Sequence, residues 1–153
     1  MTSPSQKLDE LGITLPPVAA PVAAYVPAAR FGSQVWTSGQ LPFVDGTLAV
    51  TGKVGAEVTA EIAKAQSRIA ALNALAAAAD VAGGIDKITR ICKVTVFVAS
   101  DSSFTGQPGV ANGASELFGE VFGDAGVHVR SAVGVAALPL DAPVEIELVC
   151  ETN

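Results

Sequence analysis

Histidine occurs once in the 153 residues and cysteine only twice. Cys92 and Cys150 stand far apart, both within predicted strands, a spacing that suits neither a disulfide framework nor a zinc site. They read as two buried, reduced thiols. The lone His128 has no ligand-like partners nearby, so no metal is expected. Lysine and arginine are scarce too: nine, against fifteen acidic residues, for a formal net charge of −6. There is no run of Lys/Arg. A nucleic-acid partner needs concentrated positive surface to displace phosphate counterions, so none is expected, whereas a small-molecule partner is permitted. Aromatic residues make up 5% of the chain. That is poor provision for base stacking, and it leaves the core to be packed with alanine and valine. The opening MTSPSQKLDELGITLPP has no basic region followed by an apolar stretch and is not a signal peptide. The apolar stretch at 69–82 is mostly alanine, is broken by Asp80, and is too short and weak to span a membrane. A soluble, cytoplasmic protein with no membrane partner is expected.

What is present suffices for a core. Half of the residues are hydrophobic, and the length suits one domain over 1–153. Residues 1–21, with four prolines, read as an irregular N-terminal arm. YVPAARFG (25–32) and QVWTSG (34–39) read as strands reversing at Gly32-Ser33, and TLAV (47–50) as a short third strand. From Thr59 to about Ala79 the spacing of Ile62, Ile69, Leu72, Leu75 and Ala76 predicts a helix. Thr59 is its cap and Gly83-Gly84 its stop, with Glu61, Lys64, Gln66 and Arg68 off the apolar stripe. KITRICKVTVFVAS (87–100) is apolar on both faces over its second half, the mark of an interior strand. A second helix is predicted over 109–122, with Val110, Leu117, Val121 and Phe122 as core. Strands over 128–137 and 143–150 follow. The class is α+β: a mixed β-sheet with two helices packed on one face.

Arg130, Glu145 and Glu147 lie inside the last two strands, where core residues are expected. Side chains alternate across a strand. Ser131, Val133, Val135 and Ala137 share one face of the first; Arg130, Ala132, Gly134 and Ala136 share the other. Val144, Ile146, Leu148 and Cys150 oppose Glu145, Glu147 and Val149 in the second. Placing the valine face and the Ile/Leu face together under the helices puts Arg130, Glu145 and Glu147 on the far side. Small residues and charges on an uncovered sheet face predict self-association in closed symmetry. Alternation leaves a second reading open, in which the two glutamates are solvated and Arg130 is their ion-pair partner, contributing about 0–1 kcal/mol.

WTSGQLP (36–42), KVTVFVAS (93–100) and VRSAVGVAALPLDAPVEIE (129–147) resemble the RidA/YjgF family of imine deaminases, whose members are also called L-PSP endoribonucleases. The resemblance covers about residues 22–150, and the N-terminal arm resembles a longer subgroup. It implies a chorismate-mutase-like fold, a homotrimer with clefts between subunits, and no cofactor. The implied activity is hydrolysis of small enamine or imine carboxylates of the 2-aminoacrylate type to 2-keto acids and ammonia. The alternatives are a trimer that binds carboxylate metabolites without turnover and, less favoured by the charge balance, a ribonuclease. By the same resemblance Arg130 is the carboxylate anchor and Glu145 the residue that holds or activates water. Tyr25, Ser38 and Asn112 line the cleft, and Ala132 stands where the family has a cysteine. From the residues alone Tyr25 reads equally as packing, Ser38 as a turn residue and Asn112 as a helix cap. His128-Val129 replaces the family's usual proline-alanine. His128 shares the Arg130 face if the strand already runs there; otherwise it belongs to the preceding loop.

Overall fold

The first helix starts at Ser3. The Ser3 hydroxyl accepts from the Gln6 amide, and the Gln6 side chain accepts from the Ser3 amide, a reciprocal capping box. Gly12 ends the helix in the left-handed region, φ 70°. In the computed structural model, which describes residues 2–20 and 24–153, this segment is α1, Pro4–Leu11. The expected irregular arm is corrected here: residues 4–11 are helical, residues 12–20 hold no regular element, and residues 1 and 21 lie outside the described residues. Ser5 docks α1, its amide and hydroxyl donating to the Asp86 carboxylate at 2.9 and 2.6 Å. The hydroxyl bond first, then the amide bond, hold the Asp86 carboxyl below its ordinary range. Leu8 joins the core.

The sheet strands are β1 (Ala28–Phe31), β2 (Gln34–Thr37), β3 (Ile88–Ala99), β4 (Val129–Val135) and β5 (Val144–Thr152). The helices α2 (Ala60–Ala82) and α3 (Gln107–Phe122) follow β2 and β3 respectively. Strand order is β1-β2-β5-β3-β4, and only the β3–β4 pair is parallel. Gly32, at φ 64°, turns the β1–β2 hairpin. Residues 47–50 form no third strand, Thr47 making only an isolated bridge to Val44. Both helices pack against the sheet and each other, the α+β architecture read from the sequence.

Thr59 caps α2 through its side chain, and Gly83 closes it at φ 93°, as predicted. The buried stripe differs. Ala63, Ala70, Ala71, Ala74, Leu75 and Ala78 carry it, while Ile62 is 45% exposed and Gln66 is buried. Close helix packing is the reason. At the α2–α3 crossing a Cβ on Gly113 would stand 2.1 Å from the Lys64 carbonyl oxygen. There is room for alanine along this face and for nothing larger than glycine at the crossing.

Two register shifts in β3, between Ile88 and Arg90 and between Ile91 and Lys93, carry its helix-side face from Ile88 and Ile91 onto Val94, Val96 and Val98. On β5, Val144, Ile146, Leu148 and Cys150 are fully buried opposite them, as expected. β4 has the opposite phase to the one predicted. Arg130 pairs with Val94, Ala132 with Val96 and Gly134 with Val98, and paired residues share a face. Arg130, Ala132 and Gly134 therefore face the helices, and Val133 lies on the open face. The physical reason is the nearness of α3. A Cβ on Gly134 would come within 2.8 Å of Gln107 Nε2 and 3.1 Å of Ser100 Oγ. Small residues fit the helix side beside Gln107 and Ser100, and the valines lie outward.

The other sheet face is left uncovered by the described chain. Phe31 and Trp36 stand there edge to face, 63% and 51% exposed, with Val129 and Val133 exposed on β4 and Glu147 on β5.

Candidate active site

Two groups of residues gather the positions singled out in the sequence. The first centres on Arg130. Asn112 and Ser115 are three residues apart on α3 and so face the same way. Arg130 Nη1 donates to Asn112 Oδ1 at 2.8 Å and to Ser115 Oγ at 3.1 Å. Asn112 is thus a partner of the guanidinium and caps nothing. Among the described residues no group accepts from Nε or Nη2 of Arg130, and no carboxylate forms an ion pair with it. The alternative in which Glu145 and Glu147 neutralise Arg130 is not what the chain adopts. Ala132, two register pairs further along β4 and next on the same face, packs against the core and presents only a methyl group beside the arginine.

His128, immediately before β4, is fixed in place. Its Nε2 lies 2.9 Å from Ser115 Oγ and its Nδ1 2.7 Å from the Gly126 carbonyl oxygen. Phe118 meets the ring edge to face, centroids 5.9 Å apart. Neither Ser115 nor this role of His128 was found in the sequence. The Asn112–Ser115 spacing was a usable signal for the first; for the second, alternation offered only the Arg130 face, and the contact itself depends on how the 123–126 turn delivers the ring.

The second group surrounds Glu145. The carboxylate, with Tyr25, Gly39, Phe43 and Pro139, lines a cavity of about 60 Å³. Gly39 makes the place for it: a Cβ there would stand 2.7 Å from Glu145 Cδ. Loss of solvent, and second the nearby charge of Glu147, push the Glu145 carboxyl above its ordinary pKa. Ser38 donates its hydroxyl to the Val26 carbonyl at 2.6 Å and its amide to the Pro27 carbonyl at 2.8 Å. It pins the segment that brings Tyr25 to the cavity. Wider apolar grooves, about 710 Å³ between residues 14–20 and α2 and about 850 Å³ beside α1, contain none of the sequence-predicted site residues.

The two groups do not meet within one chain. Arg130 is level with Val94 and Leu148, whereas Glu145 is level with Phe97. They stand three residues apart along the strands, roughly 10 Å, and β3 separates β4 from β5, roughly another 10 Å. They also project from opposite faces. The expectation that both point to the same side of one sheet is corrected by the β4 phase.

The family model described as "YjgF/chorismate mutase-like, putative endoribonuclease" matches residues 5–152. Protein TCP17 of Trypanosoma cruzi is 44% identical over 147 residues, 95% of this chain and 92% of that protein. The 2-iminobutanoate/2-iminopropanoate deaminase of Salmonella typhimurium is 35% identical over 130 residues, 85% of this chain and 88% of the enzyme. The crystal structure of Atu1372 from Agrobacterium tumefaciens superposes with a TM-score of 0.89 at 42% identity, covering 98% of this chain and 92% of that one. The chain belongs to the RidA/YjgF family, with its chorismate-mutase-like fold. No described helix is long and apolar enough to cross a membrane.

Proposed function

We propose that the protein hydrolyses small imine carboxylates of the 2-aminoacrylate type to 2-keto acids and ammonia, without a cofactor. The observation that carries this reading is an arginine held by neutral partners, Asn112 and Ser115, with no carboxylate of its own. A guanidinium so placed keeps its charge for an anion, and its planar fork matches a carboxylate. Glu145, half-buried beside a small cavity, supplies the base. Water adds through its oxygen to the imine carbon while Glu145 takes a water proton. Glu145 returns that proton to the nitrogen, giving a carbinolamine. The hydroxyl proton then passes through Glu145 to the nitrogen as the carbon–nitrogen bond breaks, so the carbonyl forms and ammonia leaves carrying both water protons. The imine is already reactive, so the site need supply mainly orientation and a group that shuttles protons from oxygen to nitrogen.

Because Arg130 and Glu145 lie apart in one chain, a working site draws them from two copies. The uncovered sheet face, with Phe31, Trp36, Val129 and Val133 exposed, is the surface available for assembly into the family's homotrimer, with clefts between copies. The Salmonella relative named as an imine deaminase supports the same chemistry. Ribonuclease action is opposed by the net charge of −6 and by the single arginine at the site.

The test is ammonia release by the purified protein from 2-aminoacrylate generated by a serine dehydratase. Acceleration over the dehydratase alone is expected. Arg130→Lys keeps the charge but loses the fork and is expected to lower kcat/KM by roughly 10- to 100-fold. Glu145→Gln is expected to lower kcat by roughly 10²- to 10⁴-fold with ligand binding retained. Wild-type turnover in both variants would remove this assignment.

A further inference from the structure

Three polar groups behind Arg130, the Gly126 carbonyl, His128 and Ser115, form one directed chain. The Gly126 carbonyl can only accept, so the proton on His128 faces it from Nδ1. In the neutral ring Nε2 is then an acceptor, and the Ser115 hydroxyl donates to it at 2.9 Å. With its hydrogen committed there, the Ser115 oxygen turns lone pairs toward Arg130 and accepts from Nη1 at 3.1 Å. Asn112 Oδ1 accepts at 2.8 Å from the same nitrogen. Nη1 carries two hydrogens, and both are now used.

This has a geometric consequence. A guanidinium can grip a carboxylate end-on, through Nη1 and Nη2, or side-on, through Nε and Nη2. The end-on fork needs an Nη1 hydrogen that Asn112 and Ser115 already hold. The side-on edge has no partner among the described residues.

We propose that Ser115 and His128 are positioning residues that lock Arg130 so that it binds a substrate carboxylate side-on, through Nε and Nη2. The proposal rests on the assignment of Arg130 as the carboxylate anchor and adds to it a mode of binding and two residues that touch no substrate. His128 acts through Ser115, whose hydroxyl it orients; Phe118 sets the plane of the imidazole. The specificity that follows is for an anionic, planar two-oxygen group. A neutral ester presents one carbonyl acceptor to the same edge and gains little from the alignment.

The experiment measures binding of 2-oxobutanoate and of its methyl ester to the assembled protein by calorimetry. Wild type is compared with Arg130→Ala, Ser115→Ala, His128→Ala and His128→Gln. Ser115→Ala and His128→Ala are each expected to weaken 2-oxobutanoate roughly tenfold, the worth of one charge-assisted hydrogen bond, and to leave the ester unchanged. His128→Gln, whose amide oxygen can accept from Ser115, is expected to restore binding to within about threefold, since the bond it remakes is a neutral one. A variant that merely loosened the fold would weaken both ligands and would not be rescued. If Arg130→Ala abolishes binding while Ser115→Ala and His128→Ala bind the acid like wild type, the positioning role is overturned and the anchor stands. If Arg130→Ala itself binds normally, the anchor assignment fails and this inference with it. A crystal of the complex with the carboxylate on Nε and Nη2 supports the proposal; one with it on Nη1 and Nη2 overturns it.

Discussion

Glu145 shows how one residue's surroundings set its chemistry. Burial is the main cause of its raised pKa and the charge of Glu147 the second. A general base must be ionised, so activity should fail on acidification at a higher pH than an ordinary glutamate would dictate. The sign for Glu147→Gln follows: removing the like charge makes Glu145 easier to ionise. The acid limb of the kcat/KM profile should move to lower pH with turnover retained, read from ammonia release between pH 4 and 9. An unmoved limb would mean that Glu145 is not the group titrating. Both glutamates were legible in the sequence as odd residues in a strand. What could not be read was the crevice that Gly39 opens for one of them, because it depends on a backbone approach between residues 106 positions apart.

The helices and strands were largely legible as elements, and less so in which way they face. Thr59 and Gly83 marked both ends of α2, whereas α1 went unread: the four prolines of residues 1–21 suggested irregular chain, and the Ser3–Gln6 capping pair was passed over. The facing of α2 and β4 was hidden because both are governed by α3. Gly113 is the point where this matters most. On propensity alone Gly113→Ala should stabilise α3 by up to about 1 kcal/mol. A Cβ 2.1 Å from the Lys64 carbonyl would force the helices apart, an overpacking cost of roughly 1–3 kcal/mol. The clash is with backbone, which cannot swing aside, so the net effect is expected to be destabilising. A urea titration with an unchanged slope and an earlier midpoint would show it.

At the scale of the whole molecule the proposed function calls for a site shared between copies. Complementation tests this directly. Arg130→Ala and Glu145→Gln chains are each expected to be nearly inactive alone. Co-refolded in equal amounts they mix at random. A site taking its arginine from one copy and its glutamate from the neighbour is intact in about a quarter of cases, from the symmetry of a closed ring. Activity near that fraction of wild type is expected in the mixture. No recovery, in a mixture shown by mass spectrometry to contain mixed assemblies, would require both residues to come from one chain.

The sequence by itself determined the order of the five sheet strands and the two long helices, the α+β class, the family and the residues at which charge intrudes on a strand, because each of these depends on local spacing and residue type. It did not determine the side of the sheet to which Arg130 points. Alternation gives a strand two equivalent phases, and hydrophobicity alone favours putting valines inward. The phase was decided by the space left between α3 and the edge strand. That space is tight at Gly134, where Gln107 and Ser100 approach, and suits small residues; with them on that side the arginine turns toward the helix and onto Asn112 and Ser115. Steric room between elements distant in the chain is a property of the folded molecule, and on it depends whether Arg130 is neutralised by its own glutamates or kept for a ligand.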